Sequence, residues 1–196
     1  MGFSDLAYLV GALRDGSVFY DKAGRNYRSM WYEDNPKWLQ SSVAALVVRV
    51  FDKAPRLEEY KTGHYRSVLY SKKAYDVFTG DFGFVSPQIK WGTPKPVREG
   101  SKEYVASYIA GFFDAEGDVS VGNYVVGISQ KNYESLEFIR DWLIHRKIEC
   151  SRIFVADKKT GTNRFIITSK RNQKRFSKTI PFEHPDKMAF LRMLVQ

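Results

Sequence analysis

The sequence predicts an α+β fold of two pseudo-symmetric αββαββα repeats that meet through one helix from each. The main observation is an internal copy: Tyr108-Ile109-Ala110-Gly111-Phe112-Phe113-Asp114-Ala115-Glu116-Gly117-Asp118 is echoed about a hundred residues earlier by Tyr8-Leu9-Val10-Gly11-Ala12-Leu13-Arg14-Asp15-Gly16. Both runs are apolar and small, then end in a carboxylate followed by glycine. Each reads as a helix whose small residues admit a close neighbour and whose glycine stops it. A second observation is that the same order of helical and strand patterns follows each copy. A third is size: 196 residues at 43% hydrophobic content suffice for a packed core.

In the first half, Val18 to Asp21 and Tyr27 to Tyr32 read as strands around the turn Lys22-Ala23-Gly24-Arg25-Asn26. Asn35 to Phe51 reads as a helix, because Trp38, Val43, Leu46, Val47 and Val50 fall at helical spacing. A second hairpin pairs Arg56 to Tyr60 with Tyr65 to Tyr70, and a short helix follows at Lys72 to Phe78. Gly80 to Pro96, rich in glycine and proline, reads as the linker, dividing the chain into repeats 1–96 and 97–196. The second half repeats the order: strands at Val119 to Val121 and Tyr124 to Ser129, a helix from Tyr133 to Arg146, and strands at Ser151 to Val155 and Arg164 to Thr168. Helices near Lys170 to Thr179 and Asp186 to Leu194 close the chain. Laying Asn35-Pro36-Lys37-Trp38 on Asn132-Tyr133-Glu134-Ser135 places Glu33 opposite Gln130, and a shifted overlay of 100–106 on 185–191 pairs Lys102 with Lys187.

Packing the two motif helices together brings Asp15 and Glu116 side by side. Each acid faces the negative end of a helix dipole, and each repels the other, so a divalent cation between them is the natural remedy. Ile109 to Gly117 resembles the LAGLIDADG motif of homing endonucleases, with Glu116 as its last acid, and Leu9 to Gly16 resembles a degenerate copy with Asp15 in that role. The copies differ in one respect: Gly11 precedes Asp15 by four residues, Gly111 precedes Glu116 by five. That is about 100° of helix rotation. Either Gly11 is not the packing glycine of its helix, or the helix end is rearranged to present Asp15.

The resemblance implies a monomeric, single-chain, intron-encoded nuclease whose two four-stranded antiparallel sheets form a saddle over double-stranded DNA. It cuts both strands and leaves short 3′ overhangs. It also implies that Asp15 and Glu116 bind Mg²⁺, beside Gly16 and Gly117 and the backbone carbonyls of Arg14 and Ala115. By the same resemblance Mn²⁺ is expected to substitute, and Ca²⁺ to support binding without cleavage. A polar and a basic residue near each acid order the attacking water: by position, Gln130 and Lys187 for one site, Glu33 and Lys102 for the other. Sheets that enter the major groove need basic and aromatic residues. The strands and turns supply Lys22, Arg25, Arg28, Arg56, Lys61, Arg66, Arg152, Lys158, Lys159 and Arg164, with Tyr20, Tyr27, Tyr60, Tyr65 and Tyr124 interleaved. Asp114 and Asp118 are extra acids near the second motif, and Asp114, within a turn of the end of an apolar helix, reads as structural.

Composition fits this class. Thirty-one Lys+Arg against 22 Asp+Glu give a net charge of +9, which favours a polyanion. Cys150 is the single cysteine, so no internal disulfide or multi-cysteine zinc site is available and a reducing, intracellular location is expected, in cytoplasm, nucleoid or organelle. His64, His145 and His184 lack metal-ligand spacing and read as surface or packing residues. No apolar run is long enough to span a bilayer. Three alternatives share the pattern: an RNA maturase acting on its own intron RNA, an inactive DNA-binding regulator, and a metal-dependent hydrolase of small phosphate esters. Retention of an acid in both motifs weighs against the first two, and the net charge against the third.

Overall fold

The computed structural model describes residues 3–196. Helix α1 (Phe3–Ala12) tightens into a 3₁₀ turn, Leu13–Asp15, and passes directly into β1 (Gly16–Asp21), which pairs with β2 (Asn26–Glu33). Asn35 then caps a continuous helical stretch: α2 (Pro36–Trp38), a π turn (Leu39–Val43) and α3 (Ala44–Phe51), ended by Asp52 in the left-handed region at φ 53°. Strands β3 (Arg56–Lys61) and β4 (His64–Tyr70) follow, then α4 (Lys72–Asp76) with a further π turn, Val77–Asp81. The first sheet is ordered β1-β2-β4-β3.

A 3₁₀ turn, Gln88–Lys90, and α5 (Lys95–Arg98) lead to α6 (Lys102–Glu116), capped by Ser101. The second half repeats the plan with β5 (Gly117–Ser120), β6 (Val125–Gln130), α7 (Tyr133–His145), β7 (Phe154–Asp157), β8 (Thr162–Ile167), α8 (Lys170–Thr179) and α9 (Pro185–Val195). Its sheet is ordered β5-β6-β8-β7. One expected strand is displaced, since β7 begins at Phe154 and not at Ser151. Ser151 is instead held to β8 through Ile166, its N–H donating to Ile166 O at 2.9 Å and its Oγ accepting from Ile166 N at 3.0 Å. The expected linker is packed: Phe82, Phe84 and Trp91 are buried, and Trp91 Nε1 donates to Phe82 O at 3.0 Å.

Helices α1 and α6 form the centre of the molecule, buried on nearly every side. Their backbones touch at the two motif glycines. A Cβ on Gly11 would lie 2.1 Å from Tyr108 O, and one on Gly111 would lie 2.0 Å from Tyr8 O. Gly11 is therefore the packing glycine, and the missing residue is absorbed beyond it. Five α-helical steps from Gly111 to Glu116 advance about 7.5 Å, and one α-helical plus three 3₁₀ steps from Gly11 to Asp15 also advance about 7.5 Å. The tighter winding cuts the rotational mismatch from about 100° to about 40°.

Two buried groups at matching places in the motifs fasten this interface with opposite charges. Asp114 Oδ2 accepts from Tyr8 O–H at 2.5 Å and from the N–H groups of Glu183 and His184 at 2.7 and 3.1 Å. Arg14 donates to Trp91 O at 2.5 Å, Gly92 O at 2.9 Å and Tyr108 Oη at 2.8 Å, and lies 4.3 Å over the Trp91 ring. Each motif helix thus binds the tyrosine of its partner and a segment late in its own repeat. Asp114 is structural, as expected, and burial pushes its carboxyl up to about 6.

Gly111→Val drives a side chain into the backbone of α1, so it should cost upward of about 3 kcal/mol, beyond ordinary overpacking. Gly122→Ala, whose Cβ meets nothing within 4 Å, should stay within about 1 kcal/mol in the same urea titration. Arg14→Met should cost about 3 kcal/mol, because it strands two carbonyls and a phenol that are now paired.

Candidate nuclease centre and nucleic-acid interface

Asp15 ends the 3₁₀ turn and Glu116 ends α6, each one residue before the first strand of its sheet. Both acids therefore emerge at the same end of the helix pair, between the two sheets. Burial among the surrounding walls, then repulsion from Asp15, raises Glu116 to about 7, against the pull of Gln130, Lys187 and Arg14. Asp15 is raised to about 6, by desolvation first and then by Glu33 and Asp34, with Lys187 opposing. A pair of carboxylates that resist ionisation beside one another is suited to a hard cation. The donor set fits such an ion: two acids, with the carbonyls of Arg14 and Ala115 at helix ends where carbonyls lack intrahelical partners. Among the described residues, no three His, Cys, Asp or Glu side chains cluster to hold a metal, so water and substrate phosphate must complete the shell.

The two halves support their acids differently. Gln130, on the helix-facing side of β6, donates from Nε2 to Glu116 Oε1 at 2.9 Å, while its Oε1 accepts from Lys131 N at 2.7 Å. Glu33 holds the matching place on β2, and its Oε1 accepts from Asp34 N at 2.8 Å in the same way. A carboxylate has no hydrogen to offer Asp15, however. Its second oxygen turns to His184 Nε2 at 3.2 Å, and although burial works against ionisation, this bond, the Asp34 N–H and the charge of Lys187 hold Glu33 below its usual range.

Lys187 lies on α9 and donates from Nζ to Phe113 O at 3.1 Å and Asp114 O at 2.6 Å, closing the carbonyl end of α6. Burial lowers its pKa, while Asp114, Glu33, Glu116 and Asp118 hold the charge in place. Lys102 is not its counterpart. It opens α6, about 21 Å of helix from Glu116, and its exposed side chain belongs to the opposite end of the molecule. The group that meets the end of the first motif is Gln88, whose Nε2 donates to Leu13 O at 2.9 Å and to Gly16 O. The cleft beside Asp15, about 310 Å³, is lined by Asp15, Tyr32, Glu33, Asp34, Tyr60 and Ala115.

Three residues at or beside this centre escape a reading of the sequence. Gln88 sits in an irregular stretch with no periodicity to place it. His184 resembles any histidine before a proline, and only its burial against Glu33 and Trp38 reveals its place. Arg14 enters the sequence reading only through its backbone carbonyl, yet its side chain is 1% exposed and engaged in the helix interface.

Strand pairing assigns the faces of the sheets. The rings of Tyr20 and Tyr27 meet at 4.7 Å, tilted by 39°, and Tyr27 meets Tyr75 on α4 at 5.0 Å, so both lie on the helix side and not on the open face. The open faces carry Arg28, Arg56 and Arg66 in the first sheet and Arg164 in the second, while Lys22, Arg25, Lys61, Arg152, Lys158 and Lys159 are exposed in turns and strand ends. Tyr124 is 68% exposed at the β5–β6 turn. Three of the arginines are held by acids: Arg28 by Asp21 at 2.7 Å, Arg66 by Glu58 at 2.8 Å, and Arg164 by Asp118 at 2.5 and 2.8 Å. Glu58 and Asp118 therefore orient an arginine. Arg164 crosses β6 at Gly127, where a Cβ would lie 2.0 Å from its guanidinium.

A family model described as a LAGLIDADG-like domain matches residues 103–181. Homing endonuclease I-ApeI of Aeropyrum pernix is 33% identical, over 97% of this chain and 86% of that protein. Among solved structures, I-DmoI in complex with DNA and Ca superposes at a TM-score of 0.74 and 21% identity, covering 96% of this chain and 98% of that one. Full-length WhiA from Thermatoga maritima gives 0.63 and 14%, covering 99% of this chain and 61% of that one. The structural likenesses show a shared fold, and no helix among the described residues is long and apolar enough to cross a membrane. With identity at this level along nearly the whole chain, and an acid at the end of both motif helices, the protein belongs to the LAGLIDADG family of homing endonucleases.

Proposed function

We propose that the protein is a site-specific endonuclease that cuts both strands of a long duplex target, acting as a single chain whose repeats, 1–96 and 97–196, each supply one acid. The observation that supports this most is the facing pair Asp15 and Glu116, delivered by the closely packed motif helices. The relative I-ApeI is a homing endonuclease, and I-DmoI has been solved with DNA and Mn and with DNA and Ca. Either open sheet face would lie in a major groove, with Arg164 and Arg66 held by their acids to address base edges and the turn lysines to address phosphate. The chain works where its DNA lies, inside the cell. Burial pushes the Cys150 thiol up to about 12, so it stays an unreactive packing group there.

Asp15 and Glu116 would hold Mg²⁺, which supplies an activated water and neutralises charge at the phosphate and the departing oxygen. The chain's own groups do the rest. Gln130 fixes the carboxylate of Glu116 and keeps an amide dipole at the centre. Lys187 brings a desolvated ammonium to the end of α6, where it favours charge build-up on phosphate. Cleavage forms a bond from the water oxygen to phosphorus and breaks the bond to the 3′-oxygen, which leaves with a proton.

Asp15→Asn or Glu116→Gln should lower cleavage of the target by about a thousandfold while gel-shift binding in Ca²⁺ persists. Cutting that survives both changes would remove the nuclease reading, and a wild type that binds but never cuts in Mg²⁺ would favour a regulator. Gln130→Met should slow cleavage by about a hundredfold without weakening binding.

Without divalent ions the two acids carry raised pKa values in the fold, so their contribution to stability is present at low pH and is lost as pH rises through about 6 for Asp15 and about 7 for Glu116. The melting temperature of the metal-free protein should therefore fall between about pH 4 and pH 7 and level off above it, and added Mg²⁺ should restore it chiefly at the upper end. Glu116→Gln should flatten that profile.

A further inference from the structure

His184 reaches from the second repeat into the centre of the first. It caps α9, is 5% exposed, and its Nε2 stands 3.2 Å from Glu33 Oε2, 151 residues away in the chain. Its Nδ1 faces the Lys187 N–H, so the ring hydrogen lies on Nε2 and is donated to the carboxylate. Two routes from Asp114 fix that ring. Asp114 Oδ2 accepts from His184 N at 3.1 Å, which holds the backbone. It also accepts from Tyr8 O–H, whose oxygen accepts from Trp38 Nε1 at 2.8 Å, and the Trp38 ring stacks on His184 at 5.6 Å and 28°. Asn35 Nδ2 donates to Asp186 Oδ2 at 2.7 Å and ties the end of β2 to the same turn.

Glu33 lines the cleft together with Asp15. Its Oε1 accepts from the Asp34 and Asn35 N–H groups and its Oε2 from His184, so Oε2 keeps a lone pair for one more donor. A water that donates one hydrogen there can turn an oxygen lone pair toward a phosphate in the cleft. Lys187 lends its charge to Asp15, Glu33 and Glu116 alike, so the direction of the Glu33 carboxylate rests on His184. On the nuclease reading given above, we propose that His184 is a positioning residue for the Asp15 half. By fixing Glu33 it aims the water that attacks phosphorus, so the first repeat's centre is complete only with a side chain of the second. The reaction is unchanged: the water oxygen bonds to phosphorus, and the bond to the 3′-oxygen breaks as that oxygen leaves with a proton.

The test is single-turnover cleavage of the target in Mg²⁺, with affinity measured in Ca²⁺ and the metal-free protein followed by NMR of ¹⁵N-labelled histidine. His184→Phe keeps an aromatic ring against Trp38 and loses the donor. His184→Asn keeps a cap for α9 and is too short for Glu33, whereas His184→Gln offers an amide hydrogen at greater reach. At saturating protein the Phe and Asn variants should cleave about tenfold or more slowly with affinity unchanged, and His184→Gln should recover most of the rate. In a Glu33→Ala background His184→Phe should change the rate little, because no carboxylate is left to aim. Without metal, His184 Nε2 should carry the hydrogen, and Glu33→Ala should shift its resonance. A merely structural role would instead lower affinity along with the rate and would add in full to Glu33→Ala. That additivity would overturn the proposal, as would a His184→Phe protein that cuts at the wild-type rate or an Nε2 without its hydrogen. If Asp15→Asn and Glu116→Gln leave cutting intact, the nuclease centre itself is misplaced, a separate failure read in the same assay.

Discussion

The close approach of α1 and α6 is the constraint on which the rest of the structure depends. Neither Gly11 nor Gly111 has room for even one methyl group, since each faces the carbonyl of the partner's tyrosine at about 2 Å from where a Cβ would stand. That contact fixes the distance between the halves, and with it the distance between the acids that end the two helices. A wider interface would open a gap no single group of ions could bridge. The hydrogen bonds around it are set by the same approach: Tyr8 reaches Asp114 and Tyr108 reaches Arg14 because the helix axes are close enough for phenols to span them.

Duplication left the two halves alike in backbone and different in charge. Arg14 stands where the second motif has Asp114, Glu33 where it has Gln130, Asp34 where it has Lys131, and Gln88 where α9 brings Lys187. Each exchange changes a charge while keeping the local hydrogen bonding of the backbone. Buried positions at the helix interface accept either sign when carbonyls, N–H groups or a phenol supply most of the pairing, as they do around Arg14 and Asp114, although Arg14 Nε and Asp114 Oδ1 stay unpartnered. At the acids such exchanges bear on the reaction itself, because a donor steadies negative charge as it grows on phosphate and a carboxylate does not. Asymmetry in this protein is therefore a matter of side chains carried on a nearly symmetric frame.

The sheets show the same economy. Their helix-facing residues form the core with α1 and α6, and their open faces carry arginines that would fold back on themselves if left alone. Asp21, Glu58 and Asp118 hold three of them extended. Acids therefore have a place on a surface meant for a polyanion. A carboxylate that orients a guanidinium gives up little attraction for DNA and gains direction, since a fixed fork loses less freedom on meeting a base.

The sequence alone determined the repeat, the order of elements, the two acids and Gln130, because helix periodicity, strand alternation and a copied motif are local signals that survive in one dimension. It also located the irregularity between Gly11 and Asp15, but not its resolution, which needed the 3₁₀ turn to be seen. Lys102 was matched to Lys187 by similarity of segments, and the fold sent it about 21 Å of helix away, to the opposite end of α6. Tyr20 and Tyr27 were placed on the DNA side by composition, and strand register put them on the helix side. Gln88, His184 and Arg14 were decided by tertiary structure alone. Each acts across 75 or more residues of chain, through Leu13, Glu33 and Trp91, and a contact of that span leaves no spacing in the sequence from which to read it.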